Sequence, residues 1–192
     1  MLKSRMDNFF QNDLMKFFGF SIIAQIIAYQ AHELGHFLVG LFMGIEQRYV
    51  LTGVFHSELS ANQQLLHSLG GPVVTLIFSI IALLYLINSK KVNSFLVALV
   101  YGNAFLRIQP MVQGLITGKM SYQDEAKIAH GLGLSPTMLG LISLIIFLII
   151  FIVGFFNSGK KKLFKVPIFI VGSGLSAFII SSLASWLSIK PQ

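Results

Sequence analysis

His32, Glu33 and His36 stand in the run AHELGHFLVG, two histidines four positions apart with a carboxylate directly after the first. On an α-helix, positions i and i+4 are about 400° apart, so both imidazoles share one face. Two neutral imidazoles on one face can grip a single divalent cation, and His-Glu-x-x-His on a helix is the spacing of zinc hydrolases. In that chemistry zinc lowers the pKa of its bound water toward about 7 and polarises the scissile carbonyl. The glutamate takes the water's proton and passes it to the leaving amine.

The competing reading is a pair of histidines that merely decorates a polar helix face. The surroundings argue against it. The apolar run from about Phe17 to Gly44 contains Glu33 as its sole formal charge. An unpaired carboxylate in lipid costs several kcal/mol on most scales. Such groups persist where they pair, bind metal or line a wet cavity.

The whole chain points to lipid as the solvent. Of 192 residues, 55% are hydrophobic and 11% charged, and the mean hydropathy is +0.77. A soluble domain needs more charge to cover its surface. There are no cysteines, which removes disulfides and thiolate metal ligands together. The net charge of +7 raises the question of nucleic acid. The lysines instead cluster between apolar runs, as membrane-flanking charges do, so no nucleic-acid partner is expected.

Five apolar segments can be counted: about 17–44, 69–88, 92–114, 137–156 and 166–187. A span needs about 20 apolar residues. The third is the weakest, with Asn93, Asn103, Arg107, Gln109, Pro110 and Gln113, and needs those groups to face protein or trapped water. Pro110 is expected to break its helix late in the span. The fifth, with Gly172, Gly174 and several serines, reads as a packing helix. Between the first two segments, YVLTGVF alternates around Thr52-Gly53 and predicts a short hairpin or strand. The expected fold is an all-α polytopic transmembrane bundle of about five spans with a possible β-hairpin after the first. It forms a single domain over 1–192. Lys90 and Lys91, and Lys160 to Lys162 with Lys165, mark two turns. With Lys3, Arg5 and Lys16 they favour the N-terminus inside. Arg48, Arg107, Lys119, Lys127 and Lys190 then fall on or toward the other face.

The chain resembles the site-2 protease family of intramembrane metalloproteases. His32-Glu33-Leu34-Gly35-His36 in an apolar helix is the first mark, and Leu69-Gly70-Gly71-Pro72, opening the next span, is similar to that family's Ala-Gly-Pro element. The likeness covers roughly Ala28 to Leu132. It implies Zn2+ as cofactor, Glu33 as the catalytic base, and a membrane-spanning protein or remnant signal peptide as substrate within the lipid bilayer. It also implies a third metal ligand from an Asn…Pro…Asp-Gly segment. Here the corresponding stretch runs from Asn103 through Pro110 to Gln113-Gly114, with Gln113 where the aspartate would stand. The acidic pair Asp124-Glu125 is next, and some divergent small relatives carry such a pair before a short helix. Asp124 is therefore expected to complete the metal site with His32 and His36. Glu125 is the second candidate, and His130, His67 and His56 follow. Asn103 is expected to hydrogen-bond substrate backbone or the oxyanion, against a plain interhelical hydrogen bond. Arg107 has three readings, stabilising the oxyanion, pairing with Asp124 or Glu125, and snorkelling to the headgroups, the last being favoured. The family places its zinc nearer the cytoplasmic face, which is the reverse of the lysine count. The expected location is a multi-pass protein of a bacterial cytoplasmic membrane. The rival functions are a non-proteolytic metal-binding protein, whether transporter or inactive chaperone-like relative, and a zinc protease acting at the membrane surface.

Overall fold

The computed structural model describes residues 2–120, 123–159 and 162–187. Lys160, Lys161 and Lys190, assigned above to a turn and a membrane face, lie outside the described residues. The elements in chain order are α1 (Leu2–Phe42), β1 (Gln47–Val50), β2 (Gly53–His56), α2 (Ala61–Asn88), α3 (Ser94–Thr117), α4 (Asp124–Leu132), α5 (Pro136–Asn157) and α6 (Lys162–Leu187). Five of the helices are long and apolar enough to cross a membrane: α1 from Asp13, α2, α3, α5 and α6. The protein is an all-α bundle with one small hairpin, in which β1 and β2 pair antiparallel around Leu51-Thr52.

Packing follows from where small residues sit. α1 lies against α2, α3 and α6, while α3 and α4 pack on α5. The α1–α2 crossing is tight because Gly35 and Gly70 face each other. A Cβ on Gly35 would fall 2.8 Å from the Gly70 carbonyl carbon and 2.9 Å from Val74 Cγ2. Without a hydrophobic force between helices in lipid, such close backbone approach is what holds them together. At the other end of the bundle, Tyr101 is fully buried. Its ring meets Phe17, Phe151 and Phe169, and its hydroxyl bonds to Ser158 Oγ at 3.2 Å.

Two expectations about boundaries are corrected. Leu69-Gly70-Gly71-Pro72 does not open the second span, since α2 starts eight residues earlier at Ala61. Ser60 and Gln63 form a capping box there, satisfying free N–H groups at the helix start. The polar first turns therefore belong to the same helix as the apolar run. Pro110 does not break α3, which continues to Thr117. Ending the helix inside lipid would expose several backbone groups, whereas a proline removes one hydrogen bond. The Pro110 carbonyl itself accepts from the Gln123 side-chain amide. The helix stops instead at Gly118, in the left-handed region at φ 70°.

Candidate metal centre

The structure brings His32, His36 and Asp124 together, and these three could hold a metal ion. Both histidines project from α1 toward α2 and are about 6% exposed. The hydrogen bonds behind them settle their tautomers. Thr75 Oγ1 donates its one proton to the Gly71 carbonyl at 2.9 Å, so it must accept from His32 Nδ1–H, also at 2.9 Å. His36 Nδ1 lies 2.7 Å from the His67 carbonyl, which can only accept, so Nδ1 again carries the proton. Each imidazole is thereby left with its lone pair on Nε2.

Those two lone pairs face one another. His32 Nε2 and His36 Nε2 are 3.2 Å apart, and Asp124 Oδ2 is 3.1 Å from the first and 3.4 Å from the second. Three acceptors this close repel; Arg107 Nη1, 3.4 Å from His32 Nε2 and 3.3 Å from Asp124 Oδ2, relieves part of that repulsion from one side, and a cation bound among the three would relieve the rest. Donor atoms about 2.0 Å from a tetrahedral zinc are about 3.3 Å from each other, which is the spacing found here. The donor set, two imidazoles held by their other nitrogens and one carboxylate, suits that ion.

Space for the rings is made by Gly71. A Cβ there would lie 2.6 Å from His32 Nε2, and nearer still to His32 Cε1 and His36 Nε2. The glycine nearly three turns into α2 thus has a task that its neighbour Gly70 does not share.

Asp124 reaches the histidines because α4 is pinned from two sides. Arg107 on α3, 4% exposed, brings Nη1 to 3.3 Å from Asp124 Oδ2 and pairs through Nη2 with Glu125. The other Glu125 oxygen accepts from Ser143 Oγ of α5 at 3.0 Å. The expectation that Arg107 snorkels to the headgroups is corrected. Two carboxylates on α4 draw the guanidinium inward, where it bonds both. Glu125, the second candidate for third ligand, is committed to Arg107 and Ser143. In the metal-free protein a proton takes the place of a cation: burial opposes ionisation of Asp124, but hydrogen bonds from an Nε2–H of a protonated His32 or His36 outweigh it and hold the carboxyl well below the usual carboxylate range.

Glu33 follows His32 on α1 and lies within electrostatic reach of His36, Asp124 and Arg107. The hairpin covers it. A Cβ on Gly53 would be 3.7 Å from Glu33 Oε2. The hairpin is fastened to α1 by Tyr29 Oη donating to the Thr52 carbonyl at 2.8 Å and Gln30 Nε2 donating to the Leu51 carbonyl at 2.9 Å. Tyr49 from β1 returns a bond to the Gln30 side chain, and its ring meets Phe37 edge-on.

The remaining candidates do not join the three donors. His67 stacks on His36 with ring centroids 5.2 Å apart, and His56 meets His67 at 4.8 Å. His130 is exposed near the C-terminus of α4. Asn103 is buried, but its amide nitrogen donates to Leu99 of its own helix at 2.9 Å, so the bond is intrahelical rather than between helices. Its Oδ1 has no hydrogen-bond partner among the described residues. Gln113, at the position where the resemblance places an aspartate, is exposed on α3. Sequence reasoning missed Thr75, the His67 carbonyl, Tyr29 and Gln30, and it marked Gly71 without foreseeing that it makes room for the imidazoles. Thr75 and Gly71, at i+4 on the face that meets the histidines, were the one available signal.

Compared with family models, curated proteins and solved structures, the chain matches none of them.

Proposed function

We propose that this protein is a zinc-dependent intramembrane endopeptidase, hydrolysing a peptide bond in or near a membrane-spanning segment of its substrate. The observation that carries the reading is the convergence of two Nε2 lone pairs and the Asp124 carboxylate at 3.1–3.4 Å, one residue from a carboxylate that belongs to no ion pair among the described residues. A protein that only stores or carries metal does not need that fourth group. Placement in a bacterial cytoplasmic membrane rests on the resemblance to site-2 proteases alone.

His32, His36 and Asp124 would hold the zinc, which when bound supplies a Lewis acid and a water of lowered pKa. Thr75 and the His67 carbonyl keep both imidazoles in the ligating tautomer and orientation. Glu33 accepts the proton of the attacking water on its carboxylate and hands it to the leaving amine nitrogen. Arg107 fixes the Asp124 carboxylate and neutralises Glu125, so the remaining negative charge near the donors is available to a cation. The hairpin beside Glu33 adds a means of presenting substrate. Its strands leave backbone edges against which an extended peptide can pair, and a peptide must be extended before its carbonyls can be attacked.

The test is a comparison of wild type with Glu33→Gln in proteoliposomes. The probe is a synthetic 21-residue leucine-alanine membrane peptide with a central Asn-Gly pair, fluorescently labelled at one end. Both proteins are expected to retain zinc and only the wild type to cut. Equal cleavage by the two, or none by a zinc-loaded wild type, removes the protease reading.

A further inference from the structure

A cleft of about 310 Å³ opens between α1, α3 and α6 below the hairpin turn. That volume is at the lower end of the range for ligand clefts, about 300–1,000 Å³, and well above the roughly 30 Å³ share of one water. It exists because α6 packs along α1 and barely touches α3. Its polar lining is out of place in spans of this hydropathy: Gln25 and Tyr29 from α1, Thr52 from the turn, Gln109 and Gln113 from α3. Gln25 is 8% exposed, and its Oε1 has no hydrogen-bond partner among the described residues. A buried amide oxygen left unpaired costs free energy that a donor would recover.

The arrangement has a direction. Gln25, Tyr29 and Glu33 are at i, i+4 and i+8 and so form one stripe on α1, climbing about 12 Å to the carboxylate. Gln109 and Gln113, again at i and i+4, offer two further amides from α3 about 6 Å apart along the axis. An extended chain turns backbone groups to one side every second residue, about 6.8 Å. The two repeats nearly match. A lipid acyl chain brings no donor for Gln25 Oε1, and a helical segment has already spent its N–H groups internally.

We propose that this cleft is a substrate subsite, in which Gln25, Gln109 and Gln113 hydrogen-bond the backbone of an extended stretch of a membrane-spanning polypeptide and lead it to Glu33. The proposal rests on the hydrolase reading above and assigns its binding groups. The subsite selects spans that have lost helical structure locally, and it reads backbone rather than side chains.

Two measurements test it. In the first, a photoreactive benzophenone side chain replaces Leu106, which lines the cleft, in a Glu33→Gln background. The Asn-Gly peptide is expected to be captured, and a uniform leucine-alanine peptide of equal length is not. Gln25→Leu and, separately, the exposed Gln113→Leu are each expected to reduce capture about fivefold, the worth of one hydrogen bond. Zinc content reports that each variant is folded. In the second, the same two substitutions in the active protein are expected to raise KM about fivefold and leave kcat unchanged. Equal capture of both peptides, or capture indifferent to either glutamine, would overturn the proposal and leave the cleft as a niche for lipid or water. A fall in kcat with KM unchanged overturns it too, since that is the signature of a water path. Because capture uses the inactive variant, binding without any wild-type cleavage would sink the hydrolase reading and spare the subsite. Cleavage without selective capture would do the reverse.

Discussion

Replacing Gly71 with alanine adds one methyl group, and the structure places that methyl among the metal donors. The new Cβ would stand 2.6 Å from His32 Nε2, where ordinary contact begins at 3.4 Å, so the two must part by 3.4 − 2.6 = 0.8 Å. Metal sites hold their ligand distances to about 0.2 Å. Neither ring can swing aside freely, because Thr75 anchors His32 and the His67 carbonyl anchors His36. One of these bonds must lengthen or the Nε2 atoms must spread. Loss of such a supporting contact lowers metal affinity by about 10–100-fold, or about 1.4–2.8 kcal/mol. The helix itself should not suffer, since alanine is the better helix former by about 1 kcal/mol. The assay is zinc competition against a chromophoric chelator in detergent. Gly19→Ala serves as control, because a Cβ there meets nothing within 4 Å. Unchanged zinc affinity in a folded Gly71→Ala protein would refute the reasoning, for it would mean the rings do not bind metal where the structure puts them.

Three further outcomes are expected. Thr75→Val keeps the shape but removes the acceptor for His32 Nδ1–H, so the zinc dissociation constant should rise about 10–100-fold while Thr75→Ser stays near wild type, by the same competition assay. Arg107→Met leaves Glu125 buried and unpaired, which should cost about 3–5 kcal/mol, read as a fall in the thermal midpoint; the double variant Arg107→Met with Glu125→Gln should recover much of it. In the metal-free protein the depressed Asp124 carboxyl contributes stability that is complete above its unfolded pKa of about 3.9 and is lost as pH falls through the lower folded value. Unfolding midpoints measured against pH should therefore show an acid limb below that point, which Asp124→Asn flattens.

Much of this architecture could be read from local pattern. The five spans follow from run length and hydropathy, and the hairpin from alternation about Thr52-Gly53. The histidine pair declares itself by spacing because both residues sit on one helix. What escaped depends on contacts between distant residues. His32 meets Thr75 across 43 positions, and His36 meets the His67 carbonyl across 31, and no periodicity encodes either register. Arg107 looked like a snorkelling cation because a single helix does not show that two carboxylates will fold back beneath it. The start of α2 was set too late because its first turns are polar and hydropathy ends before the helix does; the Ser60–Gln63 capping box was the better guide. Pro110 misled for the opposite reason, since the rule that proline ends helices is drawn from water, where freed backbone groups find partners.

The most direct measurement is X-ray absorption at the zinc edge on purified protein, paired with metal analysis. The account predicts one zinc per chain with two imidazole nitrogens and a carboxylate oxygen in its shell, and loss of the oxygen in Asp124→Asn. A wild-type protein that takes up no stoichiometric metal, or a shell unaltered by that substitution, would contradict it.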